Sequence, residues 1–73
     1  MQINWVEIVP GTWYAPVARH KLTLIRSRGE SWLGMIEKPD GAVLAMSARS
    51  EERIKLWCEE RLSLALAEEQ PRP

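Results

Sequence analysis

Large apolar residues fall on both sides of three segments in the middle of the chain, and this pattern limits what the chain can fold into. The segments are Leu22-Thr23-Leu24-Ile25, Trp32-Leu33-Gly34-Met35-Ile36 and Ala42-Val43-Leu44-Ala45-Met46. Successive side chains of a β-strand point to opposite faces, so each segment would bring apolar groups to both faces of a sheet. One helix can cover only one face. We therefore expect the other face to be covered by the chain's own ends, by a second copy or by a partner.

Turn residues divide these segments into an antiparallel meander. Arg28-Gly29 suits a two-residue connection between strands at 19–27 and 31–37, because glycine tolerates the positive backbone angle of a tight hairpin. Lys38-Pro39-Asp40-Gly41 provides the second turn, and a third strand is predicted at 42–48.

The residues before the meander are less regular. Residues 3–9 favour a further strand, which Pro10-Gly11 ends. Residues 12–17 include Pro16 and are predicted as a loop that folds back over the sheet. The predicted sheet therefore has three or four antiparallel strands.

One long helix is predicted after the meander. Ser50 is a suitable N-cap, and Glu51-Glu52 place negative charge at the positive end of the helix, which should run to about Glu69. Apolar residues recur at three- and four-residue steps and form one stripe: Ile54, Trp57, Cys58, Leu62, Ala65 and Leu66. The sequence thus predicts a single α+β domain at 1–69, with the helix packed on an antiparallel sheet, and a disordered tail at 70–73.

The turn lengths set the strand register. A two-residue first loop and a second loop spanning Lys38 to Gly41 would place six aliphatic residues on the helix-bearing face: Leu22, Leu24, Leu33, Met35, Leu44 and Met46. The reverse face would hold the remaining large groups, which are Ile25, Trp32, Ile36, Val43 and Ala45. As an alternative, a bulge at Gly29 would shift the first strand by one residue and bring Leu22 and Leu24 to the side of Trp32.

Charge and cysteine content restrict the function classes. Ten basic and ten acidic residues cancel, so no global field attracts nucleic acid or an anionic membrane. Cys58 is the single cysteine, which excludes an internal disulfide and fits a reducing compartment. The sequence shows no signal-peptide pattern and no apolar run long enough for a membrane span. We expect a cytoplasmic protein without a membrane partner.

The sequence carries no recognisable catalytic or metal-binding constellation. The single histidine, His20, has no motif linking it to Cys58, and these two residues cannot supply a metal site. The carboxylates are scattered, and the glycines stand singly rather than in a phosphate-binding loop. We therefore predict no enzymatic activity, no cofactor and no small-molecule substrate.

Two kinds of interaction are compatible with the pattern. In the first, the chain binds another protein or itself through the reverse face or a sheet edge, because unpaired edges and excess apolar surface favour association. The candidate residues are Trp32, Ile25 and Leu56, the last of which lies off the helix stripe. In the second, the chain is a weak nucleic-acid-binding module that stacks bases on Trp32 and neutralises phosphates. Its candidate cations are Arg19, Lys21, Arg26 and Arg28.

Several short motifs extend over most of the chain. They are Trp5, Gly11 and Tyr14, then Leu22-Thr23-Leu24, Trp32, Asp40-Gly41 and Ser50-Glu51-Glu52, and they span residues 5–66. In this pattern the chain resembles small uncharacterised phage and bacterial α+β proteins with an aromatic meander and one C-terminal helix. The resemblance implies the same fold and a phage or mobile-element setting, but it names no activity. In such a setting, the protein-interaction hypothesis becomes that of an accessory protein or an inhibitor of host machinery.

Overall fold

The computed structural model describes residues 3–69 of the chain. The elements in order are β1 (Val6–Val9), β2 (Thr12–Val17), β3 (His20–Arg26), β4 (Trp32–Glu37), β5 (Val43–Ala48) and α1 (Glu51–Glu69). The strands form one five-stranded sheet in the order β1-β2-β3-β4-β5, in which each strand runs antiparallel to the next. The predicted α+β architecture with one C-terminal helix is confirmed, but the sheet has five strands rather than three or four. The tail predicted at 70–73 lies outside the described residues.

Residues 12–17 form a strand, so the prediction of a loop there is wrong. The prediction relied on Pro16, which lacks the N–H needed for a central strand. In the structure Pro16 lies opposite Lys21 of β3, whereas on the other side of β2 the strand β1 begins only at Val6, opposite Tyr14. The ladder between β1 and β2 does not reach Pro16. Pro16 therefore lies in a part of β2 that has a neighbouring strand on one side only, where its missing N–H breaks no bond of the ladder.

The turn between β2 and β3 is tight and strained. Val17 pairs with His20, and both connecting residues have positive φ angles, 45° at Ala18 and 68° at Arg19. These angles give the type I′ geometry that matches strand twist, although L-residues other than Asn, Asp and Gly adopt it at a cost of roughly 1–2 kcal/mol each. The buried His20 side chain contacts this turn, with its Nδ1 3.0 Å from the Ala18 carbonyl oxygen.

Both loops around β4 contain three residues, which changes the predicted register. In the first loop, residues 28–30, the Ser27 N–H donates to the Ser31 carbonyl oxygen at 2.9 Å. In the second loop, residues 39–41, the Lys38 N–H donates to the Ala42 carbonyl oxygen at 2.7 Å. In the second loop Asp40 Oδ1 accepts the Ala42 N–H, as expected for an aspartate that caps a turn. Each loop differs by one residue from the predicted length, and a one-residue shift turns side chains to the opposite face.

The two shifts turn β4 over and leave β3 and β5 on their predicted faces. Trp32 pairs with Arg26 and Ala48, and Ile36 pairs with Leu22 and Leu44, so Trp32 and Ile36 lie on the helix side. Their predicted place on the reverse face is wrong. The assignment of Leu33 and Met35 to the helix side is also wrong, because both lie on the reverse face. The alternative of a bulge at Gly29 agrees with the structure in one respect, since Leu22 and Leu24 share the side of Trp32, but the strand that changes face is β4 rather than β3.

The helix matches its prediction closely. It begins after Ser50, whose Oγ accepts the Arg53 N–H at 3.4 Å, and Lys55 pairs with Glu51 at 2.9 Å. Its axis lies over β3, β4 and β5. The predicted stripe faces the sheet and supplies three fully buried residues to the core. The buried apolar residues are Ile3, Ala15, Leu22, Leu24, Ile36, Ile54, Cys58 and Leu62.

Gly34 lets the helix approach the sheet. A Cβ atom at this position would overlap the side chain of Ile54, and it would lie 3.6 Å from Trp57 and 3.7 Å from Cys58. Glycine inside a strand often marks such a close approach. The absence of a side chain at Gly34 therefore sets how closely α1 packs on β4.

Candidate functional site

Within the described residues, one face of the sheet has no helix packed against it, and we call it the open face. Strand alternation and the observed register arrange its side chains in three rows that cross the strands. The first row holds Pro16, Lys21, Glu37 and Val43; the middle row holds Val6, Tyr14, Thr23, Met35 and Ala45; the third row holds Val9, Thr12, Ile25, Leu33 and Ser47.

The open face is apolar at its centre and towards both edges. Val6, Val9 and Val43 are 59%, 55% and 55% exposed. Ile25, Leu33 and Met35 lie between them on β3 and β4 and are only half-buried, by their neighbours on the same face. Exposed apolar residues concentrated on one face in this way are typical of interaction sites in small proteins.

Charge on the open face is confined to one end and is internally balanced. Its only charged residues, Lys21 and Glu37, are cross-strand neighbours in the first row, and Lys21 Nζ lies 3.6 Å from Glu37 Oε2. The middle and third rows hold no charged side chain. Burying an unpaired charge costs free energy. A partner that covers only these two rows would avoid this cost, because they contain no charge.

A cleft opens in the same face. It has a volume of about 360 Å³ and is lined by Tyr14, Lys21, Thr23, Met35, Glu37 and Val43. The short side chain of Thr23 lies between Tyr14 and Met35 in the middle row. The cleft is near the lower end, roughly 300 Å³, of sites that hold small ligands, and it offers a recess for an apolar side chain.

The structure places the three predicted protein-interaction residues on three different surfaces. Ile25 lies on the open face. Trp32 is half-buried on the helix side, where its ring lies 5.6 Å from that of Trp13 and the Arg26 guanidinium lies 5.9 Å from its centroid. Leu56 is on α1 and is 54% exposed. Of these residues, Ile25 alone belongs to the open face.

The predicted nucleic-acid residues do not form one patch. Arg19 lies in the β2–β3 turn and Arg28 in the β3–β4 loop, at opposite ends of β3 and roughly 20–30 Å apart at ~3.3 Å per residue. Lys21 is paired with Glu37 on the open face, whereas Arg26 lies with Trp32 on the helix side. The stacking ring and the strand lysine that motivated this alternative therefore lie on opposite faces.

Sequence reasoning missed the residues at the centre of the open face. The predicted loop lengths each differ by one residue from the observed lengths, so the prediction places Leu33 and Met35 on the helix side. It also places Tyr14 in a loop, because Pro16 argues against a strand there. Two changes to the predicted loops would have placed Leu33 and Met35 on the open face. The first loop needs one residue more, as in the alternative at Gly29, and the second loop needs one residue less.

Nucleophilic chemistry is not supported by the state of Cys58. Burial, with a smaller contribution from the nearby Glu59 carboxylate, raises the pKa of the Cys58 thiol from 9.0 to about 11. A raised pKa keeps the thiol protonated at neutral pH, whereas the thiolate is the reactive form. Cys58 instead packs as a small apolar residue against the sheet.

A second, larger cleft lies at the C-terminal end of α1. It has a volume of about 640 Å³ between that end and the β2–β3 and β4–β5 turns. Its ionisable groups are of mixed sign: Arg19, Lys38, Asp40 and Glu68. The mixture gives this cleft no clear preference for an anion or a cation.

The described part of the chain shows neither a metal-binding cluster nor a membrane-spanning helix. Residues 3–69 contain no cluster of three or more His, Cys, Asp or Glu side chains able to hold a metal ion. No helix in that range is both long enough and apolar enough to cross a membrane. Comparison of the chain with protein-family models, with curated proteins and with solved structures finds no match.

Proposed function

We propose that the chain is a non-enzymatic protein-interaction module whose open face binds an amphipathic helix of another protein. The observation that carries the proposal is the open face itself: three rows of mostly apolar side chains with no covering element among the described residues. Each square ångström of apolar surface removed from water contributes roughly 25 cal/mol, before the costs of association are subtracted.

The dimensions of the open face support a helix as the occupant. Ile25 on β3 and its neighbours Leu33 and Met35 on β4 form a central apolar strip two strands wide. Two strands at ~4.8 Å spacing span about 10 Å, which is the diameter of a helix of ~10–12 Å. The covered face already carries a helix on the same strands. A second helix would complete a three-layer α/β/α arrangement, in which both faces of the sheet are buried.

The charge pattern restricts the partner. Because Lys21 and Glu37 compensate each other, the partner helix needs an apolar stripe without a charge against the middle and third rows. A single large apolar side chain of that helix would enter the cleft beside Thr23. Binding of this kind should depend little on salt, since screening acts mainly on exposed charges.

The test uses a display library of 18-residue helix-forming peptides with Leu, Ile, Met and Ala along one side. Binding of the selected peptides to the protein is measured by fluorescence anisotropy at two salt concentrations. Met35→Lys should weaken binding at least about tenfold, because a charge would enter the apolar strip. The matched control Leu56→Lys adds the same charge on the outer surface of α1 and should change affinity less than about twofold.

Three outcomes would contradict the proposal. The first is peptide affinity that Met35→Lys leaves unchanged. The second is a face-to-face dimer of the protein that excludes peptides and that Met35→Lys dissociates. The third is tight binding of single-stranded oligonucleotides with the steep salt dependence of phosphate contacts, which would favour the nucleic-acid alternative.

The resemblance to phage and bacterial proteins motivates a narrower proposal. In it, the partner helix belongs to a bacterial host protein and the complex forms in the cytoplasm. A photo-crosslinking residue at position 35 should then capture a host protein in living bacteria, whereas the same residue at position 56 should not. Equal capture at both positions, or none at position 35, would count against this setting.

A further inference from the structure

The two edges of the sheet differ in how they are protected against strand addition. β1 is only four residues long, carries Glu7, shows a register irregularity between Glu7 and Val9, and is followed by Pro10. Short length, charge, irregular pairing and proline are the features by which proteins block an edge. β5 has none of these features: its six residues are uncharged, contain no proline and pair regularly with β4.

The alternation of hydrogen-bonded pairs between β4 and β5 shows which backbone N–H and C=O groups β5 presents at its free edge. The Lys38 N–H bond to Ala42 makes Lys38 and Ala42 a hydrogen-bonded pair of the hairpin. Hydrogen-bonded and non-hydrogen-bonded pairs alternate in an antiparallel ladder. Residues 44, 46 and 48 therefore bond to β4, and the backbone groups of Val43, Ala45 and Ser47 point away from the sheet.

We propose that this edge pairs antiparallel with β5 of a second copy, so that the two sheets become one. Only residues whose backbone groups point outward can exchange hydrogen bonds across the new ladder. One register uses the outward groups of Val43, Ala45 and Ser47 in both copies. In it, Ala45 lies opposite Ala45 of the second copy, and Val43 lies opposite Ser47 of the second copy. Such a pairing is two-fold symmetric, the commonest symmetry of homo-oligomers.

Side chains are compatible with this register on both faces. On the open face, the pairs across the new ladder join small or β-branched residues, Val43 with Ser47 and Ala45 with Ala45. On the helix side, Leu44 lies opposite Met46, which adds an apolar contact. No charged residue is present on β5, so no like charges oppose each other, a situation that destabilises strand pairs.

The helices leave room for the pairing. Because α1 is centred over β4, the two helices would be separated by three strand spacings, which is about 14 Å at ~4.8 Å each. Packed helices approach to ~8–10 Å, so the pair would form without a clash between backbones.

The gap between the helices has apolar side chains available to fill it. Trp57 and Leu64 are seven residues apart and share one flank of α1. Since α1 is right-handed and runs back along the sheet after β5, this flank is the one nearer the β5 edge. Leu64 is 58% exposed in the single chain. In the paired arrangement it would face the corresponding flank of the second copy.

This inference goes beyond the proposed function and does not depend on it. Pairing through β5 uses the edge and leaves the open face accessible. The open faces of the two copies would then lie side by side on one continuous sheet and double the surface offered to a partner.

The pairing is tested by sedimentation equilibrium of the full chain. Wild type should be dimeric, and Ala45→Pro should raise the dissociation constant at least about tenfold, because proline removes an outward N–H without removing a bond to β4. Ile25→Lys, which lies on the open face but two strands in from the edge, should leave the dimer unchanged. Circular dichroism checks that each variant retains its sheet and helix.

A charge exchange tests the register and avoids reliance on proline. Ala45→Lys and Ala45→Glu each place like charges opposite one another at the two-fold axis, so each variant alone should be monomeric. An equimolar mixture of the two should recover the dimer. A monomeric wild type, a dimer that survives Ala45→Pro, a dimer that Ile25→Lys dissociates, or a mixture that stays monomeric would each overturn the proposal.

Discussion

The two faces of the sheet are made from adjacent residues of the same strands, yet within residues 3–69 a helix covers only one of them. Leu24 is fully buried beneath α1, whereas Ile25, the next residue, is half-buried on the open face. Both are large aliphatic residues. The hydrophobicity of a strand therefore does not show which face the molecule covers itself, and that depends on register and on the helix stripe.

The largest expected difference between the faces comes from truncating these two neighbours. Leu24→Ala removes fully buried methyl groups and should lower the free energy of unfolding by about 2–5 kcal/mol. Ile25→Ala should cost less than about 1 kcal/mol, because much of its side chain is still in contact with water. Urea unfolding followed by circular dichroism measures both. Equal costs would show that the open face is covered in solution.

The covered face should also show a dependence on alkaline pH. The folded protein keeps the Cys58 proton up to a pKa of about 11, whereas the unfolded chain loses it near 9.0. A raised folded-state pKa gives stability that is fully present below pH 9 and is lost as pH rises through about 11, by up to roughly 3 kcal/mol.

The Cys58→Ala variant isolates that contribution. Its free energy of unfolding should fall less steeply between pH 8 and pH 11 than that of wild type, because other alkaline titrations are common to both proteins. Parallel pH profiles would indicate that the thiol is hydrated in the native state.

A substitution at Gly34 tests whether α1 packs closely on β4 on the covered face. Gly34→Ala would make the new methyl overlap Ile54, a β-branched residue whose side chain has little rotational freedom in a helix. We expect a loss of about 1–3 kcal/mol, typical of overpacking.

A double-mutant cycle gives the control for Gly34. Leucine lacks the second carbon on Cβ that meets the new methyl, so in the Ile54→Leu background Gly34→Ala should cost less than about 1 kcal/mol. If the cost is the same in both backgrounds, the effect of Gly34→Ala comes from the strand backbone and not from the helix contact.

The sequence was informative where local chemistry decides the structure. Ser50 and the apolar stripe predicted the position of the helix, and Pro39-Asp40-Gly41 predicted a turn that the structure confirms. Both are short-range signals, in which one residue acts on backbone groups a few positions away. The expectation that one helix leaves a sheet face uncovered also agrees with the described residues.

The face of β4 was not predictable from those signals. A loop of two, three or four residues fits Arg28-Gly29 and Pro39-Asp40-Gly41 about equally well, and a single residue inverts the strand. The choice is made by long-range packing: the observed register places Gly34 beneath Ile54, where a larger residue would not fit. Pro16 was misjudged for a similar reason, since its place in β2 depends on where β1 begins.

The smallest expected effect lies on the open face, in the pair formed by Lys21 and Glu37. Their side chains are 63% and 47% exposed and separated by 3.6 Å, so a double-mutant cycle with alanine should give a coupling below about 1 kcal/mol that declines as salt is added. The Lys55–Glu51 pair of α1, which is more buried and closer at 2.9 Å, provides the comparison. A Lys21–Glu37 coupling that exceeds the helix pair and persists at high salt would mean that this end of the open face is shielded from water. Both faces of the sheet would then be shielded from water in solution, and a partner would already cover the open face.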